Sequence, residues 1–83
     1  MGLKLRIILN PSSGRERARN NIEDVLAILS LRGRLERADI MYTSGRHDAT
    51  RFAMDTDISQ YDYIIAAGGD GTVNEVITGV KNA

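Results

Sequence analysis

An open α/β sheet of parallel strands is the fold that this sequence predicts, on three observations. Apolar segments of strand type alternate with segments of helical period. The last strand-like segment is apolar on both faces, as in a strand covered on both sides. A glycine-rich string follows that strand directly and leads into a helix.

Leu3 to Leu9 reads as the first strand, with Leu5, Ile7 and Leu9 on one face and Ile8 on the other. Asn10-Pro11-Ser12-Ser13-Gly14 stops it, because proline lacks a donor and glycine permits positive φ. Glu16 to about Leu31 reads as a helix, with Ala18, Ile22, Val25, Leu26 and Leu29 on one stripe and Gly33 as its stop. Leu35 to Thr43 is the second strand, placed at a sheet edge because Arg37 and Asp39 share a face. Ser44-Gly45 breaks the chain, and His47 to about Asp55 forms a short helix that buries Ala49, Phe52 and Ala53. Tyr63 to Ala67 is the third strand. The final helix places Val73, Val76, Ile77 and Val80 on one face, at i, i+3, i+4 and i+7.

The order is β-α-β-α-β-α, a three-layer, Rossmann-like arrangement with right-handed crossovers and an expected strand order of 2-1-3. The third strand is then both the most apolar and an edge. A bare apolar edge invites pairing, so it is expected to self-associate or to be covered by a further strand. A chain of 83 residues buries only about 60% of its unfolded surface. It is therefore expected to be one nucleotide-binding α/β subdomain, residues 1–83, of a larger protein.

Composition narrows the function. Lys plus Arg and Asp plus Glu both number 11, so no net field argues for nucleic acid and no polybasic run for a membrane surface. With no cysteine there is neither a disulfide framework nor a thiolate metal site, which fits a cytoplasmic protein. His47 is the only histidine and reads as a helix-start residue. Ile64-Ile65-Ala66-Ala67, the longest apolar run, is far short of a membrane span.

The strongest chemical signal is Gly68-Gly69-Asp70-Gly71-Thr72 between a strand and a helix. Glycines let backbone N–H groups approach a phosphate, and the helix N-terminus adds unpaired donors and partial positive charge. Thr72 can cap the helix or bond a phosphate oxygen. Asp70 beside a phosphate implies a bridging Mg²⁺, oriented donors or proton transfer, as phosphoryl transfer from ATP requires. A tight turn with Asp70 as its cap is the plain structural reading. Three glycines, an acid and a hydroxyl at a strand C-terminus, where open α/β sheets bind ligands, favour the functional one. The string is neither a P-loop nor a G-x-G-x-x-G fingerprint.

Asn10-Pro11-Ser12-Ser13-Gly14 offers an amide, two hydroxyls and N–H groups at another strand end, and Thr43-Ser44 ends the second strand on the same rim. Taken alone, each is an ordinary turn or polar loop. Arg15, Arg17 and Arg19 read as a solvated helix face. Asn74 and Glu75 lie in the turn after the glycines, where a carboxylate complements the helix dipole and a ligand role is also open.

In combination these strings resemble a known family. Gly68-Gly69-Asp70-Gly71-Thr72-Val73-Asn74-Glu75-Val76, followed by Gly79, is similar to the signature of the diacylglycerol kinase catalytic domain, a family that includes bacterial lipid kinases. Asn10-Pro11-Ser12-Ser13-Gly14 resembles its first motif, and Thr43, Gly45 and Asp48-Ala49 its middle segment. The resemblance implies an ATP site divided among the loops. Asn10, Pro11, Ser12, Ser13, Gly14 and Thr43 would contact nucleotide. Gly68, Gly69, Asp70, Gly71, Thr72, Val73, Asn74 and Glu75 would bind the phosphates, with Asp70 as the catalytic residue and Mg²⁺ ligand. It also implies a following β-rich domain that supplies the site for a lipid such as diacylglycerol, and peripheral membrane contact of the full-length protein. Two other functions share parts of the pattern: a NAD kinase, which also carries G-G-D-G, and a non-catalytic nucleotide- or partner-binding module.

Overall fold

A computed structural model describes residues 2–11 and 16–82, with side chains of the first helix described from Asn21 onward. Its elements are β1 (Leu3–Leu9), α1 (Glu16–Leu31), β2 (Leu35–Tyr42), α2 (Asp48–Met54), β3 (Tyr63–Ala67) and α3 (Asp70–Lys81). A 3-10 turn over Ile58–Gln60 leads into β3. Asp57 caps this turn by accepting the Ser59 N–H at 3.0 Å and the Ser59 hydroxyl at 2.6 Å.

The strands form one parallel sheet in the order β2-β1-β3, as the alternation predicts. Right-handed crossovers then put α1 on one face and α2 on the other. β1 is the middle strand, so Leu5, Ile7, Ile8 and Leu9 are all buried. On the α2 side Ile8 meets Ala49, Ala53 and Val76, flanked by Met41, Phe52, Ile64 and Ala66. On the other side Ile22, Leu26 and Leu29 of α1 are half-buried. α1 stops where expected. Gly33 takes φ 66°, its N–H bonds the Ser30 carbonyl at 3.0 Å, and the Arg34 N–H bonds that of Leu29 at 2.8 Å.

The close packing of α2 on α3 depends on small side chains. A Cβ on Gly79 would run into the Thr50 carbonyl oxygen and stand 2.6 Å from Ala53 Cβ. Thr50 Oγ1 donates to the Glu75 carbonyl at 2.9 Å, joining the two helices.

Several details depart from the sequence reading. α3 begins at Asp70, inside the glycine string, and β2 ends one residue before Thr43. The inward stripe of α3 is Thr72, Val76 and Gly79, whereas Val73, Ile77 and Val80 are exposed. Glycine at 79 lets α2 sit close, which turns the helix so that only Val76 of the four apolar residues faces the core. Val25 of α1 is likewise exposed. β3 is only partly covered by the described residues: Tyr63 is exposed and Ile64 to Ala67 are half-buried. As an edge strand it has a neighbour on one side alone among the described residues.

The predicted edge charges on β2 are part of a larger cluster. Arg37 Nε lies 2.9 Å from Asp39 Oδ2, and Arg6 Nη1 lies 4.0 Å from it. Tyr61 donates its hydroxyl to the same oxygen, and both guanidinium groups stand over the Tyr61 ring. Arg6 Nε also donates to Thr56 Oγ1 at 3.2 Å.

Candidate functional site

The parallel register brings the three motifs together. Leu9 pairs with Tyr42 on one side and with Ala67 on the other. The next residues, Asn10, Thr43 and Gly68, therefore stand abreast at the C-terminal edge of the sheet. Backbone bonds continue the ladder to this rim: the Asn10 N–H donates to the Ala67 carbonyl and the Thr43 N–H to the Leu9 carbonyl, each at 2.9 Å.

Asn10 and the glycine string touch. Asn10 Nδ2 donates to Thr72 Oγ1 at 3.4 Å. A Cβ on Gly68 would stand 2.7 Å from Thr72 Oγ1 and 3.2 Å from Asn10 Cβ, and Gly68 also takes φ 153°. Glycine at 68 is thus required by the joint between the motifs. Thr72 is buried at this joint, so its hydroxyl faces Asn10 and does not cap α3.

Gly69 and Gly71 are different. A Cβ on either would meet nothing within 4 Å, and neither has positive φ. Glycine costs helix stability inside α3, and no contact among the described residues requires it at 71. What its absence of side chain leaves open is the approach to the backbone. The Thr72 and Val73 N–H groups both bond the Gly69 carbonyl, at 3.0 and 3.2 Å, so helix geometry leaves the Asp70 and Gly71 N–H groups without an intrahelical partner.

Asp70 is the first residue of α3, and Gly69 is the cap, with no side-chain cap bond. The plain reading of Asp70 as the helix cap is therefore replaced. Its carboxylate is exposed and makes no hydrogen bond or ion pair among the described residues. A single free carboxylate beside unpaired N–H groups suits Mg²⁺ shared with phosphate oxygens, since that ion keeps most of its waters. No group of three acidic or histidine side chains, which an ion held by protein alone would need, occurs among the described residues.

Not every predicted site residue stands at the rim. Pro11 is exposed beside Asn10, and Thr43 is buried with its backbone at the edge. Val73 and Asn74 are exposed along α3, and Glu75 is half-buried with its carbonyl tied to Thr50. Ser12, Ser13, Gly14 and Arg15 lie outside the described residues, as do the side chains of Arg17 and Arg19. A concavity of about 490 Å³ lies at the opposite edge, lined by Gly2, Leu3, Arg34 and Asp62.

One residue at the rim is given no role by the sequence reading. Asp48 Oδ2 accepts the Ser44 N–H at 2.8 Å, the Ser44 hydroxyl at 3.0 Å and the Gly45 N–H at 2.9 Å. Arg51 Nη2 lies 2.7 Å from its Oδ1. The Ser44 backbone N–H is the main cause that holds this carboxyl below the usual aspartate range, followed by the Ser44 hydroxyl. Gly45 and Arg51 add to them against the opposing effect of burial. The signal in the sequence is the spacing Ser44-Gly45-x-x-Asp48, which suits a loop-closing carboxylate.

The chain is similar to known proteins over nearly its whole length. The family model of the diacylglycerol kinase catalytic domain matches residues 4–83. The chain is 40% identical over 77 residues to a diacylglycerol kinase of Bacillus subtilis (strain 168), covering 93% of this chain and 25% of that protein. It is 44% identical over 80 residues to one of Staphylococcus saprophyticus, covering 96% of this chain and 26% of that protein. A solved structure from Bacillus anthracis str. Sterne, provisionally named a diacylglycerol kinase, superposes with a TM-score of 0.69 at 32% identity, over 92% of this chain and 26% of that one. The chain thus spans about a quarter of the length of these relatives. With motifs, sheet order and family match in agreement, the chain belongs to the diacylglycerol kinase catalytic domain family.

Proposed function

We propose that this chain is the ATP-binding part of a lipid kinase that transfers the γ-phosphate of ATP to the hydroxyl of diacylglycerol or a related lipid. The observation that carries the reading is the rim itself. Asn10, Thr43 and Gly68 end adjacent parallel strands, and α3 opens there with glycines that its packing does not require.

Nucleotide would lie across the ends of β2 and β1, near Thr43 and Asn10, with its phosphates toward the start of α3. The N–H groups around Gly69 to Gly71 would receive phosphate oxygens, and Asp70 would hold Mg²⁺. Bound there, the ion neutralises charge on the phosphates. In the transfer, the lipid hydroxyl oxygen bonds the γ-phosphorus and the bond from that phosphorus to the β,γ-bridging oxygen breaks. The hydroxyl proton leaves to a base and ADP departs. The lipid pocket and the base belong to the part of the protein beyond this chain, as in a two-domain kinase acting peripherally at the cytoplasmic face of a membrane. No helix among the described residues is long and apolar enough to cross a membrane.

Incubating the intact parent protein with ATP and Mg²⁺, and offering diacylglycerol or NAD⁺ as acceptor, tests the reading. Phosphatidic acid is the expected product. Phosphorylation of NAD⁺ with none of diacylglycerol would overturn the proposal, and nucleotide binding without transfer to either would point to a non-catalytic module.

A further inference from the structure

We infer that Asp48 is a positioning residue for nucleotide binding: its carboxylate fixes the loop after β2 to α2 and so sets the course of the Ser44–Gly45 chain that leaves Thr43 at the rim. The inference rests on the reading of this rim as an ATP site and adds a residue to which that reading gives no part.

The geometry is specific. One oxygen of Asp48 takes three donors from two successive loop residues, while the other faces Arg51. Asp48 is only 8% exposed, although it opens a seven-residue surface helix. The residue before it, His47, is held at φ 69°, a left-handed conformation uncommon outside glycine. Left-handed backbone at this point turns the chain so that the carboxylate reaches back to Ser44 and Gly45. Ionised throughout the neutral range, it accepts these bonds as a charged group, which makes them stronger than neutral ones.

The fork has a consequence for the rim. α2 is joined to α3 through Thr50 and the Glu75 carbonyl, and Gly79 lets the two helices pack closely. α3 carries the glycine string at its start. A continuous path therefore runs from the Thr43–Gly45 backbone through Asp48, α2 and α3 to Gly69 and Asp70. Among the described residues, Asp48 is the side chain in that path that holds the loop. The Ser44 and Gly45 N–H groups are spent on it, so they are not phosphate donors, and both of its own oxygens are engaged, so it is not the metal ligand. Its contribution is placement: it keeps the nucleotide end of the rim in register with the phosphate end.

The test uses the intact parent protein as wild type, Asp48→Asn and Asp48→Ala, with ATP titrated at saturating diacylglycerol and a thermal melt of each. Asp48→Ala frees the loop. It removes the charged acceptor of three loop bonds, and the KM for ATP is expected to rise by about tenfold or more, as loss of uniform binding. kcat is expected to change by less than about threefold, since the phosphate end is untouched. Asp48→Asn retains an oxygen for the two N–H donors and is expected to recover most of the wild-type KM. A role confined to folding would lower the melting temperature and leave KM unmoved. A folded Asp48→Ala protein with KM for ATP within about twofold of wild type would therefore overturn the inference. If Asp48→Ala does not fold, Ser44→Ala decides the matter, because it removes one of the three bonds and is expected to raise KM alone. An unchanged KM in Ser44→Ala would then count as refutation. Wild-type protein that transfers no phosphate from ATP would remove the kinase reading itself, an outcome distinct from an active wild type with indifferent variants.

Discussion

Asp70 and Gly71 are neighbours whose substitutions separate function from folding. Asp70→Asn keeps size and shape and removes the charge that would organise metal and phosphate. Its effect belongs to the transition state, so kcat of the parent kinase is expected to fall roughly a hundredfold or more, with a smaller rise in KM for ATP. Because Gly69 is the cap of α3, the variant is expected to melt like wild type, and near-normal kcat would remove the assignment. Gly71→Ala makes the opposite use of the same turn. A Cβ there has free space and no positive φ, so alanine should stabilise the fold by about 0.4–1 kcal/mol. Activity should nevertheless drop, since the methyl group stands where phosphate must approach the backbone. Gain of stability with unchanged kinetics would show that phosphate does not bind at this turn.

Two aspartates, Asp39 within β2 and Asp48 at the start of α2, make stability depend on pH. Asp39 is held below the usual carboxylate range chiefly by the Tyr61 hydroxyl, with Arg37 and Arg6 assisting against burial. The same bond pushes the Tyr61 hydroxyl up. Asp48 is lowered by its loop donors. A carboxyl whose folded pKa lies below its unfolded value contributes stability above the unfolded value and loses it as pH falls through the folded one. Both contributions are therefore present at neutral pH and fade below about pH 4. Urea midpoints of wild type and Asp39→Asn should differ at pH 7 and converge in acid. A gap that persists in acid would show that the charge on Asp39 is not what stabilises the cluster.

At the scale of elements, the α2–α3 contact is the joint most sensitive to one methyl group. Gly79→Ala would place carbon against the Thr50 carbonyl and Ala53, both parts of a packed helix with little room to yield. Overpacking of this kind costs about 1–3 kcal/mol, and the urea midpoint should fall accordingly. Denaturation at the wild-type midpoint would mean that the helices separate more easily than their spacing implies. The element boundaries were legible where local chemistry is decisive. Pro11 ends β1, and Gly33 closes α1 because glycine takes the left-handed turn without steric cost. The start of α3 was not, because Asp70 and Gly71 look like loop residues until the helix is seen to begin on Gly69. Nor was the inward face of α3: its apolar residues cover a wide arc, and proximity to α2 selects the narrower stripe with Thr72, Val76 and Gly79.

For the whole molecule, β3 is an edge strand among the described residues, and Val73, Ile77 and Val80 of the helix that follows it are exposed. An open apolar edge and an exposed apolar helix stripe are templates for association. Residues 1–83 alone are expected to self-associate or to melt at low temperature, as light scattering and calorimetry would reveal. A monomer at high concentration with a melting temperature typical of larger domains would contradict this. The same chain should form no phosphatidic acid from ATP and diacylglycerol, since it spans about a quarter of its relatives. Product above a control lacking the chain would show that the whole reaction resides here.

The alternation of strand and helix, the strand order and the three motif strings follow from the sequence alone, because periodicity, turn residues and right-handed crossover are local rules that need no partner. Family resemblance was legible for the same reason, since its motifs are contiguous strings. Only the tertiary structure decided what each motif residue touches. It turned Thr72 inward to Asn10, separated Gly68, which packing requires, from Gly69 and Gly71, which it does not, and assigned Asp48 to the loop before it. The reason is physical: side-chain contacts across the rim depend on strand register and helix spacing, which arise from the packing of residues distant in sequence.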